Sequence, residues 1–197
     1  MSVPINPIRF IAIQSVTFSN PDASVFLRID GSNVTQFQGG GSGTVNCQFY
    51  APGTVPVPEI GNLEAFELIS IPNVGSAIRS VNFPNAFLRL DGSGVTASQG
   101  TGVGTVNCQY YSSGTYPNSQ ADFEVFELLD LLESTPAIKD IQSLKSIAFP
   151  QVFLRIDGSN ITQFQGGGSG TVNGQFYPSG GEPNSPADYE TLKIIYL

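Results

Sequence analysis

The sequence predicts an all-β chain built from three related units, on three observations: a long internal repeat, strand-like alternation inside it, and a turn-rich composition around it. The repeat reads FLRIDGSNVTQFQGGGSGTVNCQFY from Phe26 to Tyr50, FLRLDGSGVTASQGTGVGTVNCQYY from Phe87 to Tyr111 and FLRIDGSNITQFQGGGSGTVNGQFY from Phe153 to Tyr177. The copies stand 61 and 66 residues apart. In a chain of 197 residues, 40% apolar and only 12% charged, with 22 Gly and 14 Pro, a real core is affordable and much of the length is turn.

Each unit opens on an apolar run, Ile13 to Phe18 (IQSVTF), Ile78 to Phe83 (IRSVNF) and Leu144 to Phe149 (LKSIAF). Such runs are short, β-branched or aromatic, and bounded by Gly, Pro, Asn or Asp, as strands are. In the next strand, from Phe26 to Asp30, alternation points Leu27 and Ile29 inward, while Arg28 and Asp30 share the outer face. Asp30-Gly31, Asp91-Gly92 and Asp157-Gly158 end this strand with a turn signal, glycine tolerating positive φ and aspartate bonding locally.

The Gly-rich segments Gln38 to Gly43, Gln99 to Gly104 and Gln165 to Gly170 lack the Lys-Ser or Lys-Thr and the following helix of a phosphate loop, and read as flexible surface connections. In Thr44 to Phe49, apolar Val45, Cys47 and Phe49 alternate with polar Thr44, Asn46 and Gln48, which sets the polar residues outward. Closing strands follow at Glu64 to Ile69, Glu124 to Leu129 and Glu190 to Ile195. The helix-like stretch Glu124 to Glu133 aligns with a strand in the other copies, so at most one helical turn is expected, around Leu131 to Ser134.

Three units of about four strands are too few for a propeller and too long per turn for a β-helix, and a sandwich has no reason for threefold repetition. A closed structure remains, in which the apolar ending Leu192 to Leu197 pairs near Arg9 to Val16 and leaves no open edge. The residues resemble a β-trefoil, more narrowly its fascin-like and arabinofuranose-binding members. Ser80 to Arg89 (SVNFP, then FLR) is similar to the opening hairpin of arabinofuranose-binding modules, although the histidines that hold sugar there are absent. Glu64 to Leu68 and Glu124 to Leu128 are similar to the closing strand of fascin-like repeats.

The resemblance implies a single domain over residues 1–197 with pseudo-threefold symmetry, repeat 1 covering about 8–72, repeat 2 about 76–133 and repeat 3 about 141–197. It also implies extended loops at Ala51 to Asn62, Ser112 to Asp122 and Pro178 to Asp188.

Sixteen acids against eight bases, a net charge of −8, argue against a phosphate-tracking nucleic-acid binder and against anionic membrane surfaces. With no histidine, the Ser-His-Asp and Cys-His arrangements and histidine metal cages are absent. No pair of acids stands out as a glycosidase pair and no acidic loop has calcium-site spacing, so neither catalysis, cofactor nor metal is expected. The start, Met1 to Phe18, lacks a basic then apolar leader, and no run is long enough for a membrane helix. A cytoplasmic protein, or one released without a signal peptide, is expected, as monomer or weak dimer, and the sequons at Asn33 and Asn160 are read as chance. Cys47 and Cys108 occupy equivalent positions and read as reduced thiols.

The repeated outward polar set is Asp30, Asn46, Gln48 and Tyr50, then Asp91, Asn107, Gln109 and Tyr111, then Asp157, Asn173, Gln175 and Tyr177. Carboxylates and amides can bond adjacent sugar hydroxyls, while an aromatic face packs on the apolar side of the ring. A second set precedes the closing strand, Asn62, Asp122 and Asp188, with Asn118 and Asn184 in the shared PNSxAD segment. In ricin-like trefoil lectins the pocket is similarly built from an acid, a strand with Gln and an aromatic, and a following Asn or Asp; the Gln-x-Trp signature itself is absent, since the chain has no tryptophan.

The same residues have structural readings: the aspartates pairing with Arg28, Arg89 and Arg155, the asparagines satisfying loop backbone, the tyrosines packing half-buried. The leading expectation is a non-enzymatic lectin with up to three weak sites that gain avidity together, taking glycans or glycoproteins as partners. The second copy, with Gly94, Ala97 and Ser98 in place of Asn33, Gln36 and Phe37, should be the weakest or an altered site. The alternatives are a fascin-like actin binder, opposed by like charge, and a protease inhibitor acting through the Val-Pro-Val-Pro loop at Ala51 to Asn62.

Overall fold

The computed structural model describes residues 9–20, 23–131 and 141–197. They contain twelve strands in one antiparallel sheet and no helix. In chain order these are β1 (Arg9–Ser15), β2 (Ser24–Asp30), β3 (Thr44–Tyr50), β4 (Phe66–Ile71), β5 (Gly75–Ser80) and β6 (Ala86–Asp91). There follow β7 (Gly104–Tyr110), β8 (Val125–Asp130), β9 (Ile141–Ser146), β10 (Val152–Asp157), β11 (Thr171–Phe176) and β12 (Leu192–Tyr196).

Six strands close a ring, β1 to β4 to β5 to β8 to β9 to β12 and back to β1. The closing pair sets Ile11 opposite Tyr196 and Ser15 opposite Leu192, which removes the edge that the last strand would otherwise expose. The other six form hairpins, β2 with β3, β6 with β7 and β10 with β11, each with one residue pair onto the preceding ring strand. Ile11, Ile13, Phe66, Ile78, Phe126, Leu144 and Leu192 from the ring meet Leu27, Ile29, Leu88, Leu90, Leu154 and Ile156 from the hairpins in one core. Each such side chain, taken out of water, contributes roughly 1.5–3 kcal/mol, so the core outweighs any surface ion pair.

The opening strands begin earlier than the apolar runs suggest and end midway through them. Ser15, Ser80 and Ser146 are fully buried, and their Oγ atoms accept the N–H of Phe18, Phe83 and Phe149, which turns the second half of each run out of the strand. Glu124 to Glu133 includes strand β8, and the helical turn expected around Leu131 to Ser134 lies, at residues 132–134, outside the described residues. So do residues 1–8 of the leader reading and the end of the second repeat at 132–133.

The hairpins depart from a simple inside-outside alternation because their outer face is itself covered. Arg28, Arg89 and Arg155, expected outward, are buried, as are Gln48, Gln109 and Gln175. What covers them is the Gly-rich segment of the neighbouring copy, so these segments are docked rather than loose connections. Ser42 exchanges both backbone hydrogen bonds with Cys108, and Ser169 with Cys47, while Val103 N–H donates to the Gly174 carbonyl. The glycines of the Asp-Gly turns have another reason than positive φ. A Cβ on Gly31 would stand 2.9 Å from Cβ of Ala86 and 3.0 Å from Phe83, and Gly92 and Gly158 face Phe149 and Phe18 in the same way.

Candidate functional site

Each hairpin carries a buried guanidinium held by two carboxylates. Arg28 Nη2 lies 3.3 Å from Asp30, and its Nε 3.6 Å from Glu64; Arg89 stands likewise to Asp91 (3.0 Å) and Glu124 (3.6 Å), and Arg155 to Asp157 (3.1 Å) and Glu190 (3.8 Å). The hydroxyls of Tyr50, Tyr111 and Tyr177 donate to the same glutamates at 3.0, 3.0 and 2.9 Å. Burial raises the carboxyls of Asp30, Asp91 and Asp157, but bonds from Ser32, Ser93 and Ser159 and the adjacent arginines outweigh it and hold them below their ordinary 3.8. Glu64, Glu124 and Glu190 go the other way: burial pushes them above their ordinary 4.5 despite their tyrosine and arginine partners. Burial, then the neighbouring glutamate, pushes up all three tyrosine hydroxyls.

The glutamines and asparagines of the first repeated set are engaged with the preceding copy's loop, the third copy counting as preceding the first. Gln48 donates from Nε2 to the carbonyl of Gln165 and accepts its N–H at 3.1 Å; Gln109 does so with Gln38, and Gln175 with Gln99. Asn46, Asn107 and Asn173 donate from Nδ2 to the carbonyls of Gly167, Gly40 and Thr101 at 2.9, 2.8 and 2.7 Å. Their Oδ1 atoms are buried against Gly168, Gly41 and Gly102, where no Cβ would fit. The second set shapes its own loops: Asn62 accepts the Glu64 N–H, Asp122 those of Asn118 and Ser119, and Asp188 those of Asn184 and Ser185. The Asn118 and Asn184 residues are exposed. Thus the structure gathers Asp, Tyr, the Arg expected to pair with Asp and the overlooked Glu in each copy, and spends Gln48, Asn46 and their equivalents on the seams between copies.

One exposed feature stands on each of two seams. Phe37 and Phe164 are 65% and 64% exposed, and each faces a tyrosine of the next copy, Phe37 over Tyr111 at 6.1 Å and 88°, Phe164 over Tyr50 at 6.3 Å and 78°. Behind those tyrosines lie the buried rings of Phe87 and Phe26, at 5.2 and 5.1 Å. Tyr177 has Phe153 behind it, but the loop that docks on its copy carries Ser98 at the phenylalanine position. The altered loop of the second copy therefore docks on the third copy, the one that carries Tyr177. A sequence signal was available, since Phe precedes the docking glutamine in two copies and Ser in the other.

Cys47 and Cys108 are free and buried, their thiols pushed up to about 12 by burial, and among the described residues no group of three or more Cys, Asp or Glu could hold a metal ion. An open depression lies elsewhere, at the end of the ring, lined by Arg9, Phe10, Tyr196 and Leu197.

No protein-family model and no curated protein sequence matches the chain. Among solved structures it is similar to the designed threefold-symmetric protein ThreeFoil, at 10% identity and a TM-score of 0.56 over 95% of this chain and 99% of that one. It is similar to the Rhizoctonia solani agglutinin at 11% identity and 0.52, over 99% and 100%. A mosquitocidal holotoxin aligns at 10% identity and 0.55 over the whole of this chain, which spans 18% of the toxin's length. At such identities the likeness shows the fold alone, and that fold is the β-trefoil.

Proposed function

We propose that the chain is a non-enzymatic carbohydrate-binding protein of lectin type, one domain of three four-stranded units about a pseudo-threefold axis, with shallow sites on the outer face of its hairpins. The observation that carries this reading is the pair of exposed phenyl rings, Phe37 and Phe164, on loops whose other exposed side chains are Ser, Asn, Thr and Gln. A bare aromatic face among neutral hydroxyls and amides suits the apolar side of a sugar ring and its hydroxyls together. The partly exposed carboxylates of Asp30, Asp91 and Asp157, the half-buried Tyr50 and Tyr111, and the exposed Asn118 and Asn184 are among the members of the expected polar set that a ligand reaches. That an agglutinin shares the fold is compatible with the reading and does not carry it.

The test is an array of neutral, sialylated and sulfated glycans probed with the purified chain, with free sugar as competitor. Binding displaced by free sugar is expected; silence at high protein concentration removes the reading. The asparagines Asn46, Asn107 and Asn173 make poor test positions, because they fasten neighbouring loops.

A protease inhibitor acting through one loop is the second reading, favoured by the exposure of Val55, Val57 and above all Ile60, at 89%. It predicts that Ile60→Asp abolishes inhibition of a target protease while changes at Phe37 and Phe164 do nothing.

A further inference from the structure

We infer that the sugar sites lie at the seams between units rather than one within each unit, and that two seams are competent, Phe164 with Tyr50 and Phe37 with Tyr111, both for neutral sugars. This rests on the carbohydrate-binding reading above and fixes its valency and ligand class.

The argument begins with the rings. At each of these seams two aromatic planes meet nearly at right angles with centroids 6.1 to 6.3 Å apart, one ring exposed and the other half-buried. Such a corner offers a floor and a wall to one six-membered ring, with apolar C–H groups on the aromatic faces. The two rings come from different copies, so no isolated repeat holds the corner. The tyrosine is fixed by its bond to Glu64 or Glu124, and the phenylalanine by the glutamine that follows it, whose backbone is clamped by Gln48 or Gln109. The corner is therefore held in place before any ligand arrives.

The third seam has the same frame, with Gln99 clamped by Gln175 and Tyr177 bonded to Glu190, but Ser98 supplies no wall. The lesion thus falls between the second and third copies, and Tyr50 of the first copy depends on the third.

Charge sets the ligand class. Arg28, Arg89 and Arg155 are the only cations in residues 16–66, 81–124 and 147–191, and each is buried and held by two acids. Each also bonds a carbonyl of the docked loop, Arg28 that of Gly166 and Arg89 that of Gly39, two residues past the exposed ring. The bridge brings a partly exposed carboxylate, Asp30 or Asp91, toward each corner. It can accept sugar hydroxyls, whereas a sulfate or sialic carboxylate meets that negative charge, and the arginine beside it is already held by two acids.

The experiment titrates isotope-labelled chain with methyl glycosides of glucose, galactose, mannose and N-acetylglucosamine, followed by amide shifts, and measures binding to surfaces coated densely with neutral or sulfated glycans. Shifts are expected around Phe37, Gln38 and Tyr111 and around Phe164, Gln165 and Tyr50, leaving Ser98, Gln99 and Tyr177 unmoved. F37A and F164A should each erase one cluster and weaken surface binding roughly tenfold or more through lost avidity, the double variant should not bind, and S98F should add the third cluster. Thermal unfolding of these surface variants should match the parent.

Equal shifts at all three seams, binding retained by F37A/F164A, or preference for sulfated surfaces would overturn the inference while leaving a lectin. Absence of any shift or surface binding by the parent chain would remove the carbohydrate reading itself, and the inference with it.

Discussion

The side-chain amide of Gln48 pairs with the backbone of Gln165 as one strand residue pairs with another, accepting its N–H at 3.1 Å and donating to its carbonyl across 117 positions of sequence. The same Oε1 also accepts the N–H of Phe49 at 2.9 Å, so the amide is committed and buried. Gln109 with Gln38 and Gln175 with Gln99 repeat the arrangement. A loop that would otherwise carry unpaired backbone groups is thereby docked on its neighbour, and the exposed phenylalanines are placed by that docking.

Replacing Gln48 by Ala should therefore destabilise the fold by about 1–3 kcal/mol, the range for leaving buried hydrogen-bonding groups without partners. Gln109→Ala should behave alike. The measurement is urea unfolding, with a lower midpoint and an unchanged slope expected.

The Gly-rich loops supply a contrast within one segment. Gly41 has φ +70, and a Cβ there would collide with Oδ1 of Asn107, whereas a Cβ on Gly40 meets nothing within 4 Å. Gly41→Ala should cost about 1–3 kcal/mol from left-handed backbone and collision, and Gly40→Ala should stay within about 0.5 kcal/mol. Equal thermal shifts for the two would contradict the docking.

Local pattern made the strands legible. Alternation at Val45 and Cys47 and the Asp-Gly stops at Asp30, Asp91 and Asp157 report single-strand properties, and the structure ends β2, β6 and β10 at those aspartates. The closing pair of Leu192 with Ser15 was legible because apolar ends must meet something. The seams were not, because alternation reads one strand at a time and assigns Gln48 and Arg28 to solvent, while the loop covering them comes from another copy. Glu64 escaped notice for a related reason: a glutamate just before a strand reads as exposed until its tyrosine and arginine are known.

The buried arginines should be the most sensitive charged positions. Arg89→Met leaves buried Glu124 without its cation and should cost about 3–5 kcal/mol, as removal of one partner from a buried pair does. Adding Glu124→Gln should recover part of that loss, since the orphaned charge goes too. Denaturant unfolding of the two single variants and the double one gives the coupling directly.

Acid should act on the fold in two opposite stages. Glu64, Glu124 and Glu190 are raised above 4.5 by burial, so the folded chain binds their protons more readily than the unfolded one, and stability rises as pH falls toward 4.5. Asp30, Asp91 and Asp157 are held below 3.8, so the unfolded chain takes up protons first, and their contribution is lost as pH falls through the folded values. Thermal unfolding from pH 7 downward should therefore show Tm climbing toward 4.5 and declining below 3.8. Replacing the three glutamates by Gln should flatten the first limb, and replacing the three aspartates by Asn the second. A parent-minus-variant difference with no upper limb would show that these glutamates titrate as exposed ones do, and with that the Arg-Glu-Tyr cluster would lose its place as a buried element of each hairpin.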